Sequence, residues 1–239
     1  MGANYVKLVK DNIGKLPEGK EMGWVMGTGR CGSASFWNIL NNQTGVACEA
    51  EFKRCAWTPL TIQPFLINVV RMYGVASFYR DIYLSVMSAM WFLPYTDVIM
   101  EHFPHSKIVC LKREKKATVK SWIKKATTPN GHFRNWFTST ESEHMEKSNL
   151  VGKSKHLYHG YYKCFPHFDL PFEEAIKAYY DEYYRMSKLM EERYPNNFKT
   201  YDSPQVLVDP DYQLGVLDWI GVKEPKFHSI KRNESWQGG

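Results

Sequence analysis

Apolar and polar positions along this chain fall into short blocks. Met22 to Met26 is an apolar run that stops at Gly27, and its length predicts a buried strand. Ser33, Ala34 and Ser35 then open an apolar-periodic run through Leu40, which predicts a helix to about Gln43 with Gly45 as its stop. Val46 to Cys48 reads as a short second strand, and positions 58–73 as a helix after Pro59. A Tyr- and Phe-rich stretch predicts a strand from Phe78 to Leu84, and Thr96 to Phe103 predicts a short helix ahead of Pro104. Lys107-Ile-Val-Cys-Leu-Lys112 is the clearest buried strand, followed by a helix from Lys115 to Lys125. Phe172, Ile176, Tyr179, Tyr183, Met186 and Met190 recur every three or four positions, so Pro171 to Tyr194 reads as an amphipathic helix whose aromatics belong to the core. Phe198 to Tyr201 predicts a strand, and Asp209 to Ile220 a last helix closed by Gly221. Alternating strands and helices predict an α/β fold, a central parallel sheet with helices on both faces.

One stretch breaks the pattern. Residues 127–170 hold Pro129, Gly131, Gly152 and Gly160 among many aromatics, including Trp136, Tyr158, Tyr161 and Phe165. A long aromatic loop inside a compact domain is expected to serve as a lid or binding wall. With 239 residues, the reading is one domain over 1–239 carrying this insertion.

Composition narrows the function classes. An apolar share of 44% excludes a disordered chain. The net charge of +6 fits a groove for an acidic small molecule. There is no zinc-finger spacing, heptad repeat or RNP-like box, so no nucleic acid partner is expected. Five cysteines without a C-x-x-C pair, behind a polar, Lys-rich start, predict reduced thiols and a cytoplasmic location. No apolar run reaches the ~18 residues of a membrane span, so no membrane association is expected. His102-x-x-His105 and His156-x-x-His159 lack a Cys or carboxylate at ligand spacing, and no metal is expected.

The candidate chemistry lies in Gly27-Thr28-Gly29-Arg30-Cys31-Gly32-Ser33-Ala34. Glycines allow a sharp turn, and the N-terminus of the helix that follows offers unpaired N–H groups. The combination predicts an anion cradle. A nucleoside-triphosphate loop needs a lysine where Ser33 stands and a hydroxyl where Ala34 stands, which disfavours a kinase. The cation is Arg30, inside the loop, able to fork onto a terminal oxyanion. A phosphatase-type role for Cys31 as nucleophile needs an arginine at the position of Trp37. A dinucleotide fold needs an acidic residue on the second strand, for which only Glu49 and Glu51 qualify.

A second junction weighs between these. Arg113 sits where the 107–112 strand ends, and Ser121 lies eight residues later in the following helix, so both can reach one phosphate at the carboxyl edge of the sheet. Taken together, the two motifs resemble those of the sulfotransferases that use 3′-phosphoadenosine 5′-phosphosulfate (PAPS). Gly29-Arg-Cys-Gly-Ser33 is similar to the family's 5′-phosphosulfate loop, with Arg30 in place of its basic residue. Leu111-Lys-Arg113-Glu through Ser121 is similar to its 3′-phosphate motif, and His102 to Val109 to the stretch that precedes it. The resemblance implies a three-layer α/β/α fold of the P-loop NTPase type and PAPS as cosubstrate, with the desulfonated product PAP binding at the same place and no metal. It implies transfer to a hydroxyl of a small molecule or carbohydrate, with Gly27 through Ala34, Arg113 and Ser121 holding the nucleotide. Other readings are a P-loop nucleotide kinase and a non-catalytic nucleotide-binding protein.

Transfer to a hydroxyl requires a proton acceptor. Glu51 resembles in placement the catalytic glutamate that some sulfotransferases carry shortly after the first helix, and Glu49 and Asp81 are the alternatives.

Overall fold

The computed structural model describes residues 16, 18–50, 81–126, 168 and 170–230. Five strands form one sheet: β1 (Glu21–Gly27), β2 (Val46–Ala50), β3 (Leu84–Ser88), β4 (Lys107–Lys112) and β5 (Phe198–Asp202), in the order β2-β3-β1-β4-β5. Every pairing is parallel. The helices are α1 (Ser33–Asn41), α2 (Thr96–His102), α3 (Lys115–Ala126), α4 (Phe172–Arg193), α5 (Ser203–Val208) and α6 (Pro210–Ile220), with a 3₁₀ segment over Met90–Tyr95. The expected helix at 58–73 and nearly all of the aromatic stretch 127–170 lie outside the described residues.

Alternation along the strands explains the three layers. Successive side chains of a strand face opposite sides of the sheet. From β1, Met22, Trp24 and Met26 enter one core with Phe92, Trp122, Tyr179 and Tyr183, beneath the 3₁₀ segment, α3 and α4. Val25 enters the other, with Phe36, Ile39, Val216 and Leu217 of α1 and α6. Strand β4 divides the same way, Ile108 and Cys110 to the first core, Val109 and Leu111 to the second. Strands covered on both faces read as continuous apolar runs, which is why β1 and β4 are evident in the sequence.

Strand β3 is where the sequence misleads. It begins at Leu84, where the expected strand ends, and runs to Ser88, with every residue buried. Its central position, between β2 and β1, hides Ser85 and Ser88 at 1% and 4% exposure; Asp81, Ile82 and Tyr83 before it are not strand, and positions 78–80 of the expected strand lie outside the described residues. The edge strand β2 extends to Ala50 and is fastened to α1: the Asn41 amide donates to the Cys48 carbonyl (2.9 Å), accepts from the Cys48 N–H (2.8 Å), and the Trp37 indole donates to the same carbonyl (2.7 Å). Blunting this edge also fixes the chain just upstream of Glu51.

Candidate functional site

The carboxyl ends of β1 and β4 are adjacent, with Gly27 in register with Leu111. Both continue into helices on that side of the sheet, so the glycine loop and the Arg113 junction meet. Gly29, Arg30 and Gly32 adopt left-handed φ values of 71°, 55° and 99°. Arg30 is one of two described non-glycine residues with positive φ, a conformation that is costly for a side chain this large. A Cβ at Gly29 would stand 2.7 Å from the Met90 sulfur and 2.8 Å from the Trp122 ring, so only glycine fits this turn.

The turn aims the Arg30 side chain across the gap. Its Nε donates to the Ser121 hydroxyl at 3.1 Å, and the Arg113 guanidinium donates to the Arg30 carbonyl at 3.4 Å. Arg30, Arg113 and Ser121, far apart in the chain, therefore form one cluster with Arg30 exposed and the other two half-buried. Two guanidinium groups and a hydroxyl, with no carboxylate among the described residues hydrogen-bonded to them, make a site for an oxyanion.

The two helix N-termini differ. Gly32 precedes α1 and gives it no side-chain cap. Ahead of α3, the Glu114 carboxylate accepts from the N–H groups of Lys116 and Ala117, both at 2.7 Å. Those bonds hold Glu114 below the usual carboxylate pKa range. The open N-terminus thus belongs to the glycine loop, where Ser33 is half-buried and Ala34 exposed.

Cys31 is fully buried beneath the loop. Burial pushes its thiol up to about 11, while the N–H groups of Ser33, Cys31 and Gly29 and the Thr28 hydroxyl lie against the sulfur and pull the other way. At neutral pH it is a protonated thiol and a weak acceptor, unsuited to nucleophilic attack. Ser203 donates from its hydroxyl to the Cys31 carbonyl, anchoring the far side of the loop to α5.

Beneath the site, α4 supplies four tyrosines whose hydroxyls reach these strand ends. Tyr179 donates to the Thr28 carbonyl (2.9 Å), Tyr180 to Arg113 (2.7 Å), Tyr184 to Leu111 (2.7 Å) and Tyr183 to Met90 (2.8 Å). The Tyr183 hydroxyl also accepts from the Gly27 N–H at 2.9 Å. Burial drives Tyr179, Tyr183 and Tyr184 well above the ordinary phenol range and Tyr180 up to about 12, so all four stay protonated donors. Helical periodicity marks Tyr179 and Tyr183 as core, which they are, but says nothing about what their hydroxyls hold. The visible signal was the doubled pair Tyr179-Tyr180 and Tyr183-Tyr184, more hydroxyls than a purely apolar stripe needs.

The candidate bases are spread apart. Glu51 lies outside the described residues. Glu49 is half-buried on β2, in register with Met87, one residue short of the strand's carboxyl end. Asp81 precedes β3, and its carbonyl lies 3.1 Å from where a Cβ of Gly45 would stand, so it sits at the amino edge, away from the arginine cluster. His102 and His105 flank the start of β4, at that same remote edge. Among the described residues no group of three or more His, Cys, Asp or Glu could hold a metal ion, and no helix is long and apolar enough to cross a membrane.

A cleft opens beside Arg113 between the ends of β4 and β5, lined by Lys112, Tyr180, Thr200, Tyr201 and Asp202. No protein-family model matches the chain, and no curated protein does. Among solved structures, a sulfotransferase from Alicyclobacillus acidocaldarius is similar in fold, with a TM-score of 0.54 at 11% identity over 88% of this chain and 84% of that one. The three-layer α/β/α architecture with an all-parallel sheet is therefore shared with that enzyme.

Proposed function

We propose that this chain is a sulfotransferase that takes its sulfuryl group from PAPS and delivers it to a hydroxyl of a small molecule or carbohydrate. The observation that carries the reading is the convergence of Arg30, Arg113 and Ser121 from two adjacent strand ends, beside an uncapped helix N-terminus. The fold likeness to a sulfotransferase supports it.

In this reading the loop N–H groups and Arg30 hold the 5′-phosphosulfate. Arg113 and Ser121 hold the 3′-phosphate, and the nucleoside extends toward the cleft lined by Tyr180 and Tyr201. The acceptor oxygen attacks sulfur in line while the bond from sulfur to the bridging phosphate oxygen breaks. The electron pair stays on that oxygen, where Arg30 offsets the growing negative charge. The acceptor proton passes to a carboxylate, a role assigned to Glu51, with Glu49 as the alternative at the same sheet edge and Asp81 disfavoured by its position. Such a base contributes about 10²–10⁴-fold.

A thermal-shift comparison of PAP, ATP and NAD tests the reading. PAP is expected to stabilise the protein, with little effect from the other two. Stabilisation by ATP without PAP would overturn it in favour of a phosphotransferase. Where PAP binds, Glu51→Gln is expected to abolish sulfuryl transfer with PAP affinity retained, and unchanged turnover moves the base to Glu49. Binding of PAP with no turnover on any hydroxyl acceptor marks a non-catalytic protein.

A further inference from the structure

Thr28 is fully buried, and its carbonyl accepts two hydrogen bonds from the core below, from the Tyr179 hydroxyl at 2.9 Å and the Trp122 indole at 3.2 Å. The carbonyl of Thr28 and the N–H of Gly29 belong to one planar trans peptide, so they point in opposite directions. A carbonyl pinned toward Tyr179 and Trp122 turns the Gly29 N–H away from them, into the loop. Gly29 needs such fixing. It is the residue that most readily accepts either orientation of the peptide before it, and its neighbour Arg30 carries positive φ of its own.

We infer that Tyr179, assisted by Trp122, is a positioning residue for anion binding: by holding the Thr28 carbonyl it presents the Gly29 N–H to the oxyanion of the bound ligand. The inference deepens the phosphosulfate reading of the loop and rests on it for the identity of the ligand. The two donors come from different helices, α4 and α3, and α3 also carries Ser121. The amide of the glycine loop and the hydroxyl opposite it are thereby set by the same packing.

The test compares Tyr179→Phe with Ile176→Val by calorimetric titration of PAP. Ile176 is 1% exposed in the same core on the same helix, and its side chain carries no hydrogen-bonding group. Both variants are expected to lower Tm. Only Tyr179→Phe is expected to weaken PAP, by about tenfold, the scale of one charge-assisted hydrogen bond. Trp122→Phe, which removes the other donor, is expected to weaken it in the same direction. An unchanged PAP affinity in both Tyr179→Phe and Trp122→Phe overturns the inference and leaves Tyr179 a structural residue.

A second readout separates this from failure of the functional reading. In protein labelled with ¹⁵N-glycine and free of ligand, the Gly29 amide signal is expected to broaden or split in Tyr179→Phe and to stay single in Ile176→Val. A wild type that fails to bind PAP removes the phosphosulfate reading, and the Gly29 signal then decides the orientation inference: broadening supports it, and an unperturbed signal overturns it.

Discussion

After β1 the chain enters α1 through Gly29, Arg30 and Gly32 and leaves the helix N-terminus without a side-chain cap. After β4 it enters α3 through Arg113 and Glu114, and the glutamate carboxylate closes the first turn. The two junctions lie side by side on paired strands, and they are built for different kinds of grip. The first offers backbone N–H groups and the positive end of a helix dipole, which suits a group buried against the loop. The second has spent its helix end on Glu114, so it offers only side chains, Arg113 and Ser121. The first junction offers main chain to an anion and the second offers side chains, and Arg30 spans the gap with its Nε on Ser121.

The largest effect on this contrast is expected from Gly32→Ala. A side chain there must hold φ near 99°, and its Cβ would stand 2.5 Å from the Ser203 hydroxyl. The conformation alone costs on the order of 1–2 kcal/mol, and the crowding displaces the anchor that fixes the Cys31 carbonyl. Chemical denaturation is expected to show a lowered midpoint, and PAP titration a weakened complex. A variant with wild-type stability and affinity breaks the claim that the first junction depends on main-chain geometry.

A smaller effect is expected from Glu114→Gln. The carboxylate's pKa is lowered in the folded chain, so its contribution is full above the unfolded value near 4.5 and disappears as pH falls through the folded value. Tm of the variant is expected to lie below wild type at pH 7, with the gap closing below about pH 4. PAP affinity at pH 7 is expected to stay the same. A constant gap across the pH range contradicts the capping role, and a loss of affinity shows that the second junction grips through Glu114 as well.

The smallest effect is expected from Cys31→Ala. The thiol is buried and protonated, so turnover with a hydroxyl acceptor is expected to stay within about threefold of wild type, because no step of the proposed transfer passes through the Cys31 thiol. Loss of turnover with PAP binding intact makes Cys31 a reacting group.

Much of the frame was legible in the residues themselves. Strands β1 and β4 are buried on both faces and read as apolar runs, and the spacing of Arg113 and Ser121 is short enough to read directly. Strand β3 runs past its expected end at Leu84 to Ser88, because Ser85 and Ser88 look like a break until neighbouring strands bury them. The 3₁₀ segment over Met90–Tyr95 and helix α5 over Ser203–Val208 are too short for a periodic signal. The order β2-β3-β1-β4-β5, which brings Arg30 to Ser121, is a property of long-range pairing and no local pattern carries it. The tyrosine hydroxyls of α4 are the clearest case. Their spacing reveals a face, while their partners, Thr28, Met90, Leu111 and Arg113, are set only when the ends of three strands, β1, β3 and β4, converge on that face.

The central claim is that the two junctions hold two different anionic groups of one nucleotide, and the direct measurement is PAP against adenosine 5′-monophosphate, which lacks the 3′-phosphate, titrated into wild type and Arg113→Ala. Wild type is expected to prefer PAP by roughly tenfold or more, the scale of a charge-assisted hydrogen bond, and Arg113→Ala is expected to lose that preference while still binding the monophosphate. A preference for PAP that survives Arg113→Ala, or no preference in wild type, contradicts the account.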